Sequence, residues 1–140
     1  RTTVALQLAD NVDIPAQFTR LSNSDLDLPP GEVTTVNMEV PAPNATDALI
    51  WGVIPHMHQT GESLQLSVTT DGVEECLVDV PSWNFMWQGL FLYKNPVLIP
   101  PGSDLRLTCV YDTTGREDAT TFGEGSADEM CMVFAYTTAG

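Results

Sequence analysis

Residues 64–80 read LQLSVTTDGVEECLVDV, two runs of strand-like sequence joined by Asp71-Gly72. An Asp-Gly pair between two such runs is a strong signal for a two-residue hairpin, because both central positions of a type I′ turn need positive φ. This stretch therefore predicts two antiparallel strands, at residues 64–70 and 75–80.

The same pattern recurs along most of the chain. Six further segments alternate or run apolar over strand lengths, at residues 3–8, 33–40, 48–58, 84–92, 105–111 and 130–136. Turn-forming Pro, Gly, Asn and Asp residues separate them, and no segment has sustained helical periodicity. We predict an all-β fold, an antiparallel β-sandwich of the jelly-roll type, with residues 1–140 forming a single domain.

The charge balance limits the partners of this domain. Nineteen Asp and Glu residues stand against five Lys and Arg, which gives a formal net charge of -14. Such a surface repels phosphate backbones and anionic lipid, so we expect no nucleic-acid partner. No apolar run approaches the roughly 20 residues needed to cross a bilayer, so we expect no membrane span.

Three cysteines, Cys76, Cys109 and Cys131, leave an odd count. In an oxidising compartment one pair forms a disulfide and one thiol remains. The residues alone do not determine which pair is joined.

The chain has only two histidines, and both lie in Pro55-His56-Met57-His58. In a strand, residues two apart point to the same face, so the two imidazoles form half of a metal site. The alternative is an accidental pair at an exposed strand end. With no third histidine, a cupin site, a three-histidine zinc site and a copper–zinc dismutase site each lack a ligand. A thioether joined to two imidazoles suits copper that cycles between two oxidation states, and the stretch at residues 123–131 carries a thioether.

Several blocks of this sequence resemble the C-terminal domain of the copper type II, ascorbate-dependent monooxygenases, the family of peptidylglycine alpha-hydroxylating monooxygenase and dopamine beta-monooxygenase. The blocks follow the family's order across residues 50–136. They are HMH at 56–58 with Gly61, WNFMWQ at 83–88, PGSD at 101–104, CVY at 109–111 and GSADEMC at 125–131.

The resemblance implies a function and a site. His56, His58 and Met130 would hold one copper per chain, where dioxygen and substrate meet for C–H hydroxylation, with no catalytic residue beyond these ligands. The family's disulfide would join Cys109 to Cys131, leaving Cys76 as the odd thiol. A secreted location, extracellular or periplasmic, goes with these features.

Three positions depart from the peptide-amidating members of the family. An arginine two residues before the first histidine is replaced by Ile54, and an asparagine and a tyrosine after the ligand methionine are replaced by Met132 and Phe134. Together with Tyr136, these residues predict an apolar substrate wall beside the copper. A carboxylate-ended peptide would find no charged partner there, and a small apolar substrate fits better. The alternative is that this face only packs against the core.

Family enzymes also need a second copper, on a preceding domain with three histidines, and this chain has no histidine left to build it. Two function classes therefore stay open. In the first, the chain is the oxygen-binding part of a monooxygenase that works with an electron-transfer copper domain or chain. In the second, it is a non-catalytic copper-binding or assembly module that self-associates, as in a filament or shell subunit.

Overall fold

The structure is a computed structural model and describes residues 2–140. These residues contain ten strands and no helix, so none of the described chain forms a helix able to cross a membrane. The strands are β1 (Ala16–Asn23), β2 (Asp27–Leu28), β3 (Val33–Pro41), β4 (Ala48–His56), β5 (Gly61–Thr70), β6 (Val73–Val80), β7 (Phe91–Ile99), β8 (Asp104–Asp112), β9 (Thr120–Thr121) and β10 (Cys131–Ala139).

The eight long strands form two four-stranded antiparallel sheets. The order is β1-β10-β4-β7 in one, here called the front sheet, and β3-β8-β5-β6 in the other, the back sheet, while β2 and β9 pair with each other. Counted among the eight long strands alone, these orders become 1-8-3-6 and 2-7-4-5, which is the topology of a jelly roll. The predicted fold class is confirmed.

The hairpin predicted from residues 64–80 is present. Asp71 and Gly72 have φ values of 52° and 78°, and Thr70 pairs with Val73 across the turn. Positive φ at both central residues matches the right-handed twist of the flanking strands. This turn therefore fixes the register of β5 against β6.

The core lies between the two sheets and follows the two-residue period of the strands. Val53 of β4 and Val133 of β10 are fully buried on the inner face of the front sheet, and Leu66 and Leu107 lie opposite on the back sheet. Burying each of these side chains contributes about 1.5–3 kcal/mol. A disulfide between Cys109 and Cys131, with an S–S distance of 2.10 Å, joins β8 of the back sheet to β10 of the front sheet.

The strand predicted at residues 3–8 is absent from the described chain. Val4, Leu6 and Leu8 are 77%, 79% and 86% exposed, and their backbone pairs with no strand. Apolar alternation shows that a segment suits a half-buried sheet position, but a strand forms only where an edge is available to pair with it. The first strand is instead β1, which the sequence pattern did not reveal.

The strand predicted at residues 84–92 is also wrong. Asn84 starts a turn: its side-chain oxygen accepts the backbone N–H of Met86 at 2.9 Å, and its carbonyl accepts that of Trp87 at 2.8 Å. Asparagine favours such turns because its side chain competes for neighbouring backbone groups. The sheet resumes only at β7.

Candidate metal centre

The two histidines lie where β4 leaves the front sheet. His56 is the last residue of the strand, whereas His58 follows it, so the predicted strand at 48–58 ends two residues early. Strand pairing stops because the backbone N–H of His58 donates to the Glu129 carboxylate, at 2.8 Å, instead of to a neighbouring strand. The imidazoles nevertheless stay together, with ring centroids 5.1 Å apart and planes at 84°.

The hydrogen bond of His58 determines which ring nitrogen is free. Its Nδ1 lies 3.0 Å from the carbonyl oxygen of Asp128. A carbonyl only accepts, so Nδ1 carries the proton and Nε2 keeps a lone pair. A histidine prepared in this way can bind a metal through Nε2.

The same tautomer follows for His56, although its partner is a side chain. Its Nδ1 lies 2.6 Å from Oε1 of Gln88. The Gln88 amide cannot be reversed, because its Nε2 donates to the carbonyl of Phe85 at 2.8 Å. The oxygen therefore faces His56, Nδ1 donates to it, and Nε2 is again left with a lone pair.

The site is anchored by the carboxylate of Glu129, a fully buried residue. It accepts hydrogen bonds from the backbone N–H groups of His58, Thr60 and Met130, at 2.8, 2.7 and 3.1 Å, and from the Thr60 hydroxyl at 2.9 Å. Four donors on one carboxylate replace the water that the charge loses on burial. Glu129 therefore holds the backbone beside His58 and beside Met130 at once.

Met130 directly precedes β10 and is 5% exposed. Its carbonyl accepts the hydroxyl of Tyr111 at 3.1 Å, and the next residue is fixed by the disulfide to Cys109. Burial and the negative charge of Glu129 raise the pKa of the Tyr111 phenol, so the hydroxyl stays protonated and able to donate. The methionine backbone is thus fixed on both sides, although the predicted strand at 130–136 begins one residue later.

The remaining contacts pack around His58. The indole Nε1 of Trp83 donates to the His58 carbonyl at 3.1 Å, and the ring of Phe85 lies 6.0 Å from the His58 ring. Gly61 leaves room for this arrangement, since a Cβ there would come within 2.9 Å of both Met57 and Trp83. These contacts explain why an aromatic block and a glycine accompany the histidine pair.

The donor set fits copper. Among residues 2–140 no group of three or more His, Cys, Asp or Glu side chains is placed to hold a metal ion. The two histidines supply two ligands, so a further ligand has to be of another kind. Two imidazoles with free Nε2 atoms, next to a segment that carries a thioether, form a set suited to copper in both oxidation states.

The outer face of the front sheet extends from the histidines. Register pairs Met132 with His56, Phe134 with Ile54 and Tyr136 with Gly52, so the four residues of the predicted wall lie on the same face as His56. Met132 is 4% exposed, whereas the other three are partly exposed.

Three residues near this centre were not found from the sequence. Gln88 and Glu129 act through hydrogen bonds to segments far away in the chain, and only the adjacency of Glu129 to Met130 hinted at a role. Arg20 of β1 pairs with Phe134 and so lies on the outer face beside the wall. Because the strand β1 was not predicted, nothing in the sequence pattern pointed to Arg20.

Comparison with known proteins identifies the family of the chain. The family model "Copper type II ascorbate-dependent monooxygenase, C-terminal domain" matches residues 21–137. Tyramine beta-hydroxylase of Caenorhabditis briggsae is 39% identical over 84 residues, 58% of this chain and 14% of that protein. DBH-like monooxygenase protein 2 of Mus musculus is 32% identical over 65% of this chain and 15% of that protein, and human dopamine beta-hydroxylase is 32% identical over 58% and 13%.

Among solved structures, dimeric latent PorU from Porphyromonas gingivalis aligns with 91% of this chain and 13% of its own, at 12% identity and a TM-score of 0.31. A similarity this low supports no inference. The relatives named above are matched over 13–15% of their length, so the chain corresponds to one part of those proteins. Since the family model covers most of the chain, the protein belongs to the copper type II ascorbate-dependent monooxygenase family, in which it corresponds to the C-terminal domain.

Proposed function

We propose that the chain binds one copper through His56, His58 and Met130 and hydroxylates a C–H bond of a small substrate held on the outer face of the front sheet. The observation that carries the proposal is the pair of adjacent imidazoles, whose Nδ1 atoms are both committed to acceptors. Their Nε2 atoms are the remaining ligand positions, and Met130, whose backbone shares the Glu129 carboxylate with that of His58, is the soft donor of the proposal.

Copper in such a site, once bound, supplies activation of dioxygen and one-electron chemistry. The residues of the chain supply geometry. Gln88 and the Asp128 carbonyl keep each imidazole in one tautomer, and Glu129 fixes the backbone on both sides of the centre. The apolar wall of Ile54, Phe134 and Tyr136 limits water beside the reacting carbon.

The complete reaction needs a second source of electrons. Both histidines of the chain are used in the proposed site, so a second copper of the same kind would be held elsewhere. We infer that an electron-transfer copper domain or a separate chain supplies it, which agrees with the small part of its relatives that this chain matches.

The compartment follows from the sulfur chemistry. A disulfide between Cys109 and Cys131 lies inside the core, and disulfides persist in oxidising surroundings. An extracellular or periplasmic location, reached by secretion, is therefore part of the proposal.

A second candidate is a non-catalytic copper-binding or assembly module. Cys76, exposed on the edge strand β6, has no disulfide partner within the described chain, and an edge strand with a thiol can join copies of a chain. The two candidates differ in turnover: the assembly module would show copper binding or self-association without substrate oxidation by any electron donor.

Copper titration tests the proposal. We expect one copper per chain, with two nitrogens and one sulfur in the X-ray absorption spectrum of the Cu(I) form. Replacing Met130 with Ile should preserve much of the Cu(II) affinity, weaken Cu(I) binding and abolish turnover. Met86→Ile is the matched control, because Met86 is 84% exposed on the neighbouring loop. His56→Ala should lose both oxidation states; Cu(I) affinity unchanged in Met130→Ile would remove Met130 from the site.

A further inference from the structure

Arg20 is the feature of the outer face that the proposed function leaves unused. It lies on β1, pairs with Phe134 of β10, and Phe134 pairs with Ile54 of β4. Directly opposite residues in antiparallel strands share a face, so Arg20, Phe134 and Ile54 form one row across the sheet. The next row toward the metal centre contains Ser22, Met132 and His56.

The distance across these rows suits one small molecule. Strands lie about 4.8 Å apart and residues on one face about 6.8 Å apart, so the Cα atoms of Arg20 and His56 are separated by roughly 12 Å. Arg20 stands on the same face of the sheet as the apolar wall, and an arginine side chain is long. A ligand that reaches from the guanidinium to the histidines would therefore span only a few carbon–carbon bonds.

The charge of Arg20 is not neutralised by an acidic side chain. The salt bridges within residues 2–140 belong to Arg106, which contacts Glu39 and Glu74 on the back sheet, whereas Arg20 has none. This is unexpected in a chain of net charge -14, where carboxylates are abundant. Arg20 is exposed and its five N–H donors are available to a ligand.

The outer-face residues beside Arg20 carry no charge. The rings of Phe18 and Tyr136 form a tilted pair in the row beyond it, with centroids 5.3 Å apart, and Phe134 stands between Arg20 and Ile54 in its own row. In the adjoining row Ser22 Oγ is enclosed and has no hydrogen-bond partner within the described chain. Such an unpartnered hydroxyl is rare enough to call for an explanation.

We propose that Arg20 is a specificity-determining residue that binds the carboxylate of an otherwise apolar substrate, placing the carbon chain along Phe134 and Ile54 toward the histidines. This inference rests on the proposed function. It differs from the expectation that a carboxylate finds no charged partner at this wall, because the proposed charge comes from β1 instead of position 54. A planar guanidinium binds a carboxylate through two parallel hydrogen bonds and repels the positive charge of a protonated amine.

The test uses ligands that share an apolar body and differ in charge: 3-phenylpropionate, 3-phenylpropanamide and 3-phenylpropylamine. Binding is followed by amide chemical shifts of the copper-free chain and repeated with Cu(I), because a carboxylate can itself coordinate Cu(II). We expect the carboxylate to bind about tenfold more tightly than the amide, with shifts in β1 and β10. An N-acetylated dipeptide with a free carboxyl end, measured alongside, distinguishes a peptide carboxylate from that of a small acid.

Arg20→Gln should abolish this preference, and Arg20→Glu should shift it toward the amine. Arg106→Gln, which removes the same charge from the back sheet, should keep the preference and so controls for net charge. Equal binding of carboxylate and amide by the unaltered chain, or an unchanged preference in Arg20→Gln, would overturn the proposal. Arg20-dependent binding of the carboxylate without copper uptake would refute the proposed function alone. Copper uptake without a preference for the carboxylate over the amide would refute only the inference.

Discussion

Replacing Glu129 with Gln should destabilise the fold because its buried carboxylate accepts four hydrogen bonds. The new amide fits best with its nitrogen toward Thr60, whose hydroxyl can turn and accept, which leaves one backbone N–H without an acceptor at a cost of about 1–3 kcal/mol. The remaining bonds lose their charge assistance, about 1 kcal/mol each. Removing a buried charge relieves its desolvation and offsets part of this loss. We expect the free energy of unfolding to fall by about 2–4 kcal/mol.

Urea denaturation followed by fluorescence and circular dichroism measures this change. Glu124→Gln is the matched control, because Glu124 is exposed in the same loop and its replacement alters the net charge equally. We expect the midpoint to move for Glu129→Gln with little change in slope. Copper affinity should fall as well, since the carboxylate fixes the backbone beside two proposed ligands. If the two variants unfold within about 0.5 kcal/mol of each other, Glu129 does not anchor the site.

Three further predictions concern packing, hydrogen bonding and ionisation. Gly61→Ala should lower the free energy of unfolding by about 1–3 kcal/mol, because the new Cβ would lie 2.9 Å from atoms of Met57 and Trp83. Gly115→Ala is the control and should be neutral in the same denaturation assay, because its Cβ would meet nothing within 4 Å. Thr34→Val should stabilise the chain, because it removes a buried hydroxyl without a hydrogen-bond partner. Thr113→Val should destabilise the chain by about 1–3 kcal/mol, because the Thr113 hydroxyl lies 2.6 and 2.8 Å from two carbonyl oxygens. The opposite ranking of melting temperatures would refute this account. Burial raises the pKa of Tyr93 to about 12, so the unfolded state loses the phenol proton first and the free energy of unfolding should fall between pH 10 and pH 12. Tyr93→Phe should show a smaller fall in that window. Parallel pH profiles of the two proteins would exclude the effect.

Local signals in the sequence predicted the parts of the fold that depend on local geometry. Asp71-Gly72 determined a hairpin because its two residues tolerate positive φ. The alternating apolar pattern predicted β3, β5 and β8 because their inner faces pack the core. Alternation at residues 3–8 misled, since the pattern does not show whether a sheet edge is available. In β1, Gln17, Thr19 and Asn23 share the inward face with Leu21 and are polar, so the strand was missed.

In the metal centre, too, some residues could be predicted from the sequence and others could not. The spacing of His56 and His58 brings their rings together, and this was predictable from two positions in the chain. Gln88 and Glu129 could not be found in this way, because each acts through a contact with a segment about 30 to 70 residues away. The Cys109–Cys131 disulfide came only through the family resemblance, since the spacing of three cysteines does not select a pair.

The two-residue period of the front sheet separates the determinants of folding from those of ligand choice. In β1, β4 and β10 the residues Leu21, Val53 and Val133 face the interior, while Arg20, Ile54, Phe134 and Tyr136 face outward. A mutational library confined to the outward set leaves the fully buried side chains of the core in place. The jelly roll is thus a scaffold on which ligand selectivity can be redesigned independently of stability, one alternate residue at a time.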